Sequence, residues 1–168
     1  MFKRKRSEFE ALVRAYSPEL YRYAYWLAHD RFTAEDLVQE TFARAWAALS
    51  SLREPQAARK WLYTILRREH ARLFERKRLD IDAEQDLDAL PDYRSGALSS
   101  EFELRQALRG LPDAYREPLL LQVIGGFSCE EIAAIMGITV GATMTRLSRA
   151  RLALRRDGDG RSKQELSA

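Results

Sequence analysis

Cysteine is all but missing. Cys129 stands alone in 168 residues, which excludes an intrachain disulfide and any zinc site built on cysteine pairs. Histidine is as scarce: His29 and His70 are the whole supply, and neither belongs to an H-E-x-x-H motif. No metal and no cofactor is expected. No apolar run approaches the roughly 20 residues that a bilayer-spanning helix needs. Lys3-Arg4-Lys5-Arg6 looks like the basic start of a signal peptide, but Glu8 and Glu10 fall where its apolar region would be. The expected location is therefore the cytoplasm. Paired catalytic carboxylates in a recognisable motif, a phosphate loop and an activated nucleophile are also missing, so the chain is not expected to be an enzyme. There is no internal repeat, and no alternating apolar pattern long enough for a strand.

What remains is helical and charged. Apolar residues make up 46%, enough for real cores, and charged residues 32%. The net charge of +3 hides a strong division. Residues 1–78 hold 17 Lys/Arg against 10 Asp/Glu, residues 79–99 one against six, and residues 100–168 ten against nine. The acidic block lacks helical apolar spacing and carries Pro91, Gly96 and serines, which mark a linker. The expected fold is all-α, with two small helical domains at 7–78 and 100–156. A flexible acidic linker over 79–99 joins them, and a disordered tail over 157–168 follows.

In the first domain, Ser7 can cap a helix carrying Phe9, Leu12, Val13 and Tyr16, and Ser17-Pro18 reads as a fresh start. Thr33 with Asp36 reads as an approximate capping box for the next helix. That helix has an apolar face of Leu37, Val38, Thr41, Phe42, Ala45, Trp46 and Leu49, with Asp36 and Glu40 opposite and Gln39 at the edge. A long helix over 57–78 buries Leu62, Ile65, Leu66 and Leu73. Lys60, Thr64, Arg67, Arg68, Arg72 and Arg78 lie roughly opposite. Glu69 falls on the apolar stripe, where an arginine at the edge could pair with it.

In the second domain a helix ends at Gly110, and another starts at Leu111-Pro112 and carries Pro118, where a kink or a late start is expected. Ser128 and Glu131 form an S-x-x-E capping box, Gly137 suits a helix C-terminus, and Thr139 can cap the helix after it. Helix, glycine-containing turn, helix is the helix-turn-helix pattern. Thr143, Leu147, Ala150 and Leu154 share one narrow arc of the second helix. Met144, Thr145, Ser148, Arg149 and Arg155 share the opposite face, flanked by Arg146 and Arg151. Between Ile132 and Arg156 there are five arginines and no carboxylate. A solvated surface is the usual meaning of such a face. Acids are common elsewhere in this chain, however, and the position in a helix-turn-helix points to a DNA major groove.

At this point the chain resembles the bacterial sigma factors of the extracytoplasmic-function (ECF) group. "AEDLVQETFARAW" resembles their region 2.2, "KWLYTILRREHARLFERKR" regions 2.3 and 2.4, and "LPDAYREPLLLQVIGGFSCEEIAAIMGITVGATMTRLSRAR" region 4. The resemblance implies a protein that binds core RNA polymerase through the β′ clamp and the β subunit, recognises promoter DNA and helps to open it. Its polymerase-binding positions would be Asp36, Gln39 and Glu40. Its −10 contacts would come from Lys60, Trp61, Thr64, Arg67, Arg68 and Arg72, holding a separating strand while aromatics stack on bases. Trp61 and Tyr63 also read as core aromatics. Its −35 contacts would come from Met144, Thr145, Arg146, Ser148, Arg149 and Arg151. An anti-sigma factor is the regulator that the resemblance implies.

Three positions depart from the family pattern. Arg68 stands where Asn is frequent, Arg72 where Asp is frequent, and Met144 where Lys or Arg is frequent. The first two add charge for the backbone, and the third exchanges a donor for apolar contact, for example with a thymine methyl. Cys129, at the start of a helix, reads as a small packed residue or as a redox-sensing thiol. The alternative function is a helix-turn-helix regulator that never joins polymerase, which leaves the first domain without a task.

Overall fold

The computed structural model describes residues 1–80 and 101–165. Seven α-helices and two 3-10 turns fill them, with no strand among the described residues. The helices are α1 (Phe2–Ala28), α2 (Arg31–Ala47), α3 (Ala58–Asp80), α4 (Glu101–Gly110), α5 (Asp113–Val123), α6 (Cys129–Met136) and α7 (Val140–Glu165). The turns, Leu49–Ser51 and Pro55–Ala57, lead from α2 into α3. The acidic linker lies outside the described residues from residue 81 onward.

The first module is α1, α2 and α3 packed together. α1 runs unbroken through Pro18, where the sequence pattern suggests a restart. Proline there forfeits one backbone hydrogen bond, yet the residues on both sides pack on the same core: Phe9, Val13 and Tyr16 before it, and Leu20, Tyr23, Ala24 and Leu27 after it. Burial of that continuous stripe outweighs the missing bond. The helix also begins at Phe2, ahead of Ser7, and its first turns hold Arg4–Glu8 and Arg6–Glu10 pairs at 2.9 Å. It ends at His29 in the left-handed conformation (φ 58).

α2 starts two residues before Thr33. Asp30 is the true N-cap: its carboxylate accepts from the Thr33 backbone N–H at 2.9 Å and from the Thr33 hydroxyl at 2.6 Å. Thr33 still serves the cap, but as a donor. The apolar face of α2 holds Ala34, Leu37, Val38, Thr41, Phe42 and Ala45 buried and Trp46 half-buried against Phe9, while Leu49, read from the sequence as part of that face, falls in the 3-10 turn after the helix. In α3, Leu62, Tyr63 and Leu66 are buried while Ile65 and Leu73 are partly so. Glu69, buried among them, meets Arg44 at 3.0 Å and Arg72 at 3.3 Å, the edge arginines that its place on the stripe requires.

The second module is α4 to α7. α5 starts at Asp113 and carries Pro118 in its interior, fully buried with Leu119, Leu120 and Leu121. Ser128 and Glu131 make the reciprocal capping box of α6. Gly137 closes α6 at φ 66, and the Thr139 hydroxyl accepts the Ala142 N–H at 3.1 Å to open α7. α7 carries on to Glu165, past the domain end expected at 156. Nothing there stops it. No proline intervenes, and each of Gly158 and Gly160 costs only about 1 kcal/mol relative to alanine.

The two modules are not held apart. Their buried residues form one apolar cluster, and α5 lies against α1 while α6 lies against α3.

Candidate nucleic-acid and partner interface

The helix-turn-helix presents α7 as its outer helix. Thr143, Leu147 and Ala150 are buried against α5 and α6, with Leu154 partly so. This fixes the rotation of the helix. Met144 is 58% exposed, and Thr145, Ser148, Arg149, Arg151 and Arg155 face outward, with Arg146 half-buried at the margin. All six side chains read as −35 contacts therefore share an outer surface. Arg149 lies 3.4 Å from the Tyr115 hydroxyl, and Arg151 donates to the Gln122 side chain. Both partners are neutral, so the guanidinium charges stay available for an anion.

α3 brings Lys60, Thr64, Arg67 and Arg68 to one face, but not in one environment. Lys60 and Thr64 are half-buried, with the Thr64 hydroxyl donating to the Lys60 carbonyl at 2.8 Å, and Arg68 is exposed. Trp61 is half-buried at the edge of the core, whereas Tyr63 is wholly buried in it. The core reading of Tyr63 holds. Arg72 is exposed one turn on from Arg68. It bonds Glu69 and lines a groove shared with Thr33, Asp36, Leu37, Glu40, Arg44, Leu73 and Arg76. Asp36, Gln39 and Glu40 are all exposed, and Glu40 is paired with Arg44 at 2.9 Å. Such an exposed pair is worth little on its own, so it leaves a carboxylate that a cationic partner can take.

Arg67 is not free to meet a strand in this arrangement. Its Nε lies 2.7 Å from the Glu117 carboxylate on α5, a close charge contact rather than an aligned hydrogen bond. Burial pushes the Glu117 carboxyl up to about 7, with Arg67 pulling it down and Asp113 pushing it up. Nearby, Arg116 is buried and donates to the Leu108 and Leu111 carbonyls. His29, pushed down to about 4 chiefly by burial, with Arg116 and Arg109 adding, is neutral here at pH 7. Arg59 sits between the Glu19 carboxylate at 2.9 Å and the Gly125 carbonyl.

Sequence reasoning missed this polar seam. Arg59 and Glu19 are ordinary helix charges 40 residues apart. Only Glu117, a lone carboxylate against Pro118-Leu119-Leu120-Leu121, carries a local sign of its burial. Among the described residues no cluster of potential ligands could hold a metal, and no helix is long and apolar enough to cross a membrane.

A helix-turn-helix whose outer helix is cationic and carboxylate-free from Val140 to Arg156, joined to a helical module that exposes both acids and arginines, defines a two-module DNA-binding protein. Comparison with known proteins takes the class further. Residues 12–79 match the Sigma-70 region 2 family and residues 101–154 the Sigma-70 region 4 family. The RNA polymerase sigma factor YlaC of Bacillus subtilis is 34% identical over 161 residues, covering 90% of this chain and 92% of that one. The ECF RNA polymerase sigma factor EcfG of Rhodopseudomonas palustris is 37% identical over 137 residues, covering 80% and 76%. Among solved structures, the sigma factor RpoE of Bartonella quintana, in complex with the anti-sigma factor NepR, superposes with a TM-score of 0.74. It is 30% identical and covers 88% of this chain and 94% of that one. The chain belongs to the Sigma-70 family of RNA polymerase sigma factors, in its ECF group.

Proposed function

We propose that this chain binds core RNA polymerase through Asp36, Gln39 and Glu40 of α2, reads a −35 duplex with the outer face of α7, and holds a separating −10 strand with α3. The carrying observation is the division of charge by surface: outward acids on α2, outward arginines on α7, and basic side chains with a half-buried aromatic on α3. On α7, Met144, Thr145, Ser148 and Arg149 reach base edges while Arg146 and Arg151 hold phosphates. On α3, Lys60, Thr64, Arg67 and Arg68 track the strand, and Trp61 offers a stacking surface. Arg72 serves less directly, since it is shared with Glu69 at the polymerase-side groove. No covalent chemistry is assigned to the chain: the polymerase makes the RNA, and the protein supplies position and strand separation in the cytoplasm. Two modest DNA contacts on one polymerase-bound chain reinforce each other through effective concentration. An anti-sigma factor is the expected regulator, as the NepR complex shows for its own partner.

Arg149→Ala tests the −35 assignment. Loss of one guanidinium from a base or phosphate costs about 1–3 kcal/mol, or roughly tenfold or more in promoter occupancy. Run-off transcription from a promoter selected with the wild-type chain should fall by that factor, with core-polymerase affinity unchanged. Undiminished initiation would remove Arg149 from the reading face.

A further inference from the structure

Resting on the polymerase-docking role of α2 given above, we propose that Glu69 of α3 is a positioning residue for that docking. It draws Arg44 away from Glu40, so that the exposed carboxylates of α2 stay open to a cationic polymerase surface. Glu69 does not reach that surface itself, since its side chain is only 9% exposed. One of its oxygens, Oε1, lies 3.0 Å from Arg44 Nε and 3.3 Å from Arg72 Nη1. The same Arg44 Nε donates to the Glu40 carboxylate at 2.9 Å. Arg44 is therefore shared between two acids, one buried and one at the surface. The two claims on it are unequal. An exposed pair within one helix is worth little in water, whereas a buried carboxylate that loses its partner is left with a charge that burial penalises. Arg44 leaves Glu40 before it leaves Glu69.

Packing gives no reason for this carboxylate. Glu69 stands on the apolar stripe of α3 between Leu66 and Leu73, where an apolar side chain would bury as well. A buried ion pair adds little net stability, because desolvation offsets the attraction. Its charge matters instead to the groove beside it, which Asp36, Glu40, Arg44 and Glu69 line together. Arg72 pins Glu69 Oε1 from the same helix, which fixes where the carboxylate points. With Glu69 in place, Arg44 keeps a partner when a polymerase cation takes Glu40. With Glu69 neutral, Arg44 settles on Glu40 alone and cancels its charge. A polymerase cation must then displace Arg44 and leave it unpaired at the interface, where like charges facing each other cost affinity. The docking surface on α2 is thus set in part by a residue of α3 that lies beneath it.

The test is a double-mutant cycle on the full chain, read as affinity for surface-immobilised core RNA polymerase. Glu69→Gln keeps the shape and removes the charge, and should weaken binding about tenfold, in the direction that like charge at an interface dictates. Arg44→Gln removes the arginine that Glu69 restrains. In that background Glu69→Gln should change affinity by no more than about twofold, the scatter of sites that do not interact. A purely structural role for Glu69 would carry the whole loss into both backgrounds, so rescue by Arg44→Gln is the result that positioning predicts and misfolding does not. Undiminished affinity in Glu69→Gln, or a tenfold loss that persists without Arg44, overturns the proposal. The chain with Asp36→Arg and Glu40→Arg separates this claim from the reading beneath it. If that chain binds polymerase normally, the docking surface is misplaced and the proposal falls with it. If it loses affinity while Glu69→Gln does not, the docking surface stands and only the role of Glu69 is overturned.

Discussion

With Asp36 and Glu40 both replaced by arginine, the chain is expected to lose about a hundredfold in affinity for core RNA polymerase while keeping its fold. Both side chains are exposed on α2, so neither supports the core. Glu40 gives up one exposed pair with Arg44, worth a few tenths of a kcal/mol in an i,i+4 helix pair. The new arginines add local repulsion with Arg44, Arg72 and Arg76 along the groove, a similarly small effect in water. At a polymerase surface the balance differs. A charge facing its own sign in a desolvated interface costs several kcal/mol, and about 3 kcal/mol is a hundredfold. Surface-immobilised core enzyme titrated with wild-type and double-variant chain reads this directly, and circular dichroism confirms the fold. Normal affinity in the double variant would place the polymerase contact elsewhere on the chain.

Leu147→Ala is the second large effect, and it acts through the core. Leu147 is 2% exposed and shares the apolar cluster with Ile132, Ile135, Met136 and Ala150. Truncating a buried leucine removes its transfer free energy and leaves a cavity, together about 2–5 kcal/mol. α6 is only eight residues long, and α7 meets it along this line. The helix-turn-helix should therefore lose its fixed α6–α7 angle before α7 loses its helicity. Thermal melting should show a midpoint lower by several degrees for a domain of this size. Duplex binding should fall further than in Arg149→Ala, because every contact of α7 shifts together. A melting midpoint within a degree of wild type would mean that Leu147 is not a core residue of the second module.

The buried and outward faces of α2 and α7 were legible in the sequence because period and capping chemistry agree there. Ser128, Glu131, Gly137 and Thr139 mark both ends of the turn, and Thr143, Leu147 and Ala150 repeat at helical spacing. The errors came where local signals compete with packing. Ser17-Pro18 has the chemistry of a helix start, yet a stripe from Phe9 to Leu27 holds α1 straight through it. Thr33 has the chemistry of a cap, yet Asp30 with its charged oxygen takes the position. The carboxylate-free run on α7 needed only one helix to be read. The seam needed two modules at once, since Arg67 and Glu117 are 50 positions apart and neither belongs to a motif that names the other. Glu69 was readable for the opposite reason: Arg72 lies one turn along its own helix, and Arg44 lies on the neighbouring helix of the same module.

The most direct measurement supplies purified core RNA polymerase with this chain, free of any inhibitor, on genomic DNA fragments and maps the 5′ ends of the transcripts. The account predicts a limited set of discrete start sites, absent with core enzyme alone, each preceded by two shared sequence elements at a fixed separation. Transcripts with the same scattered 5′ ends as core enzyme alone, from a chain that is folded and binds DNA, would contradict it.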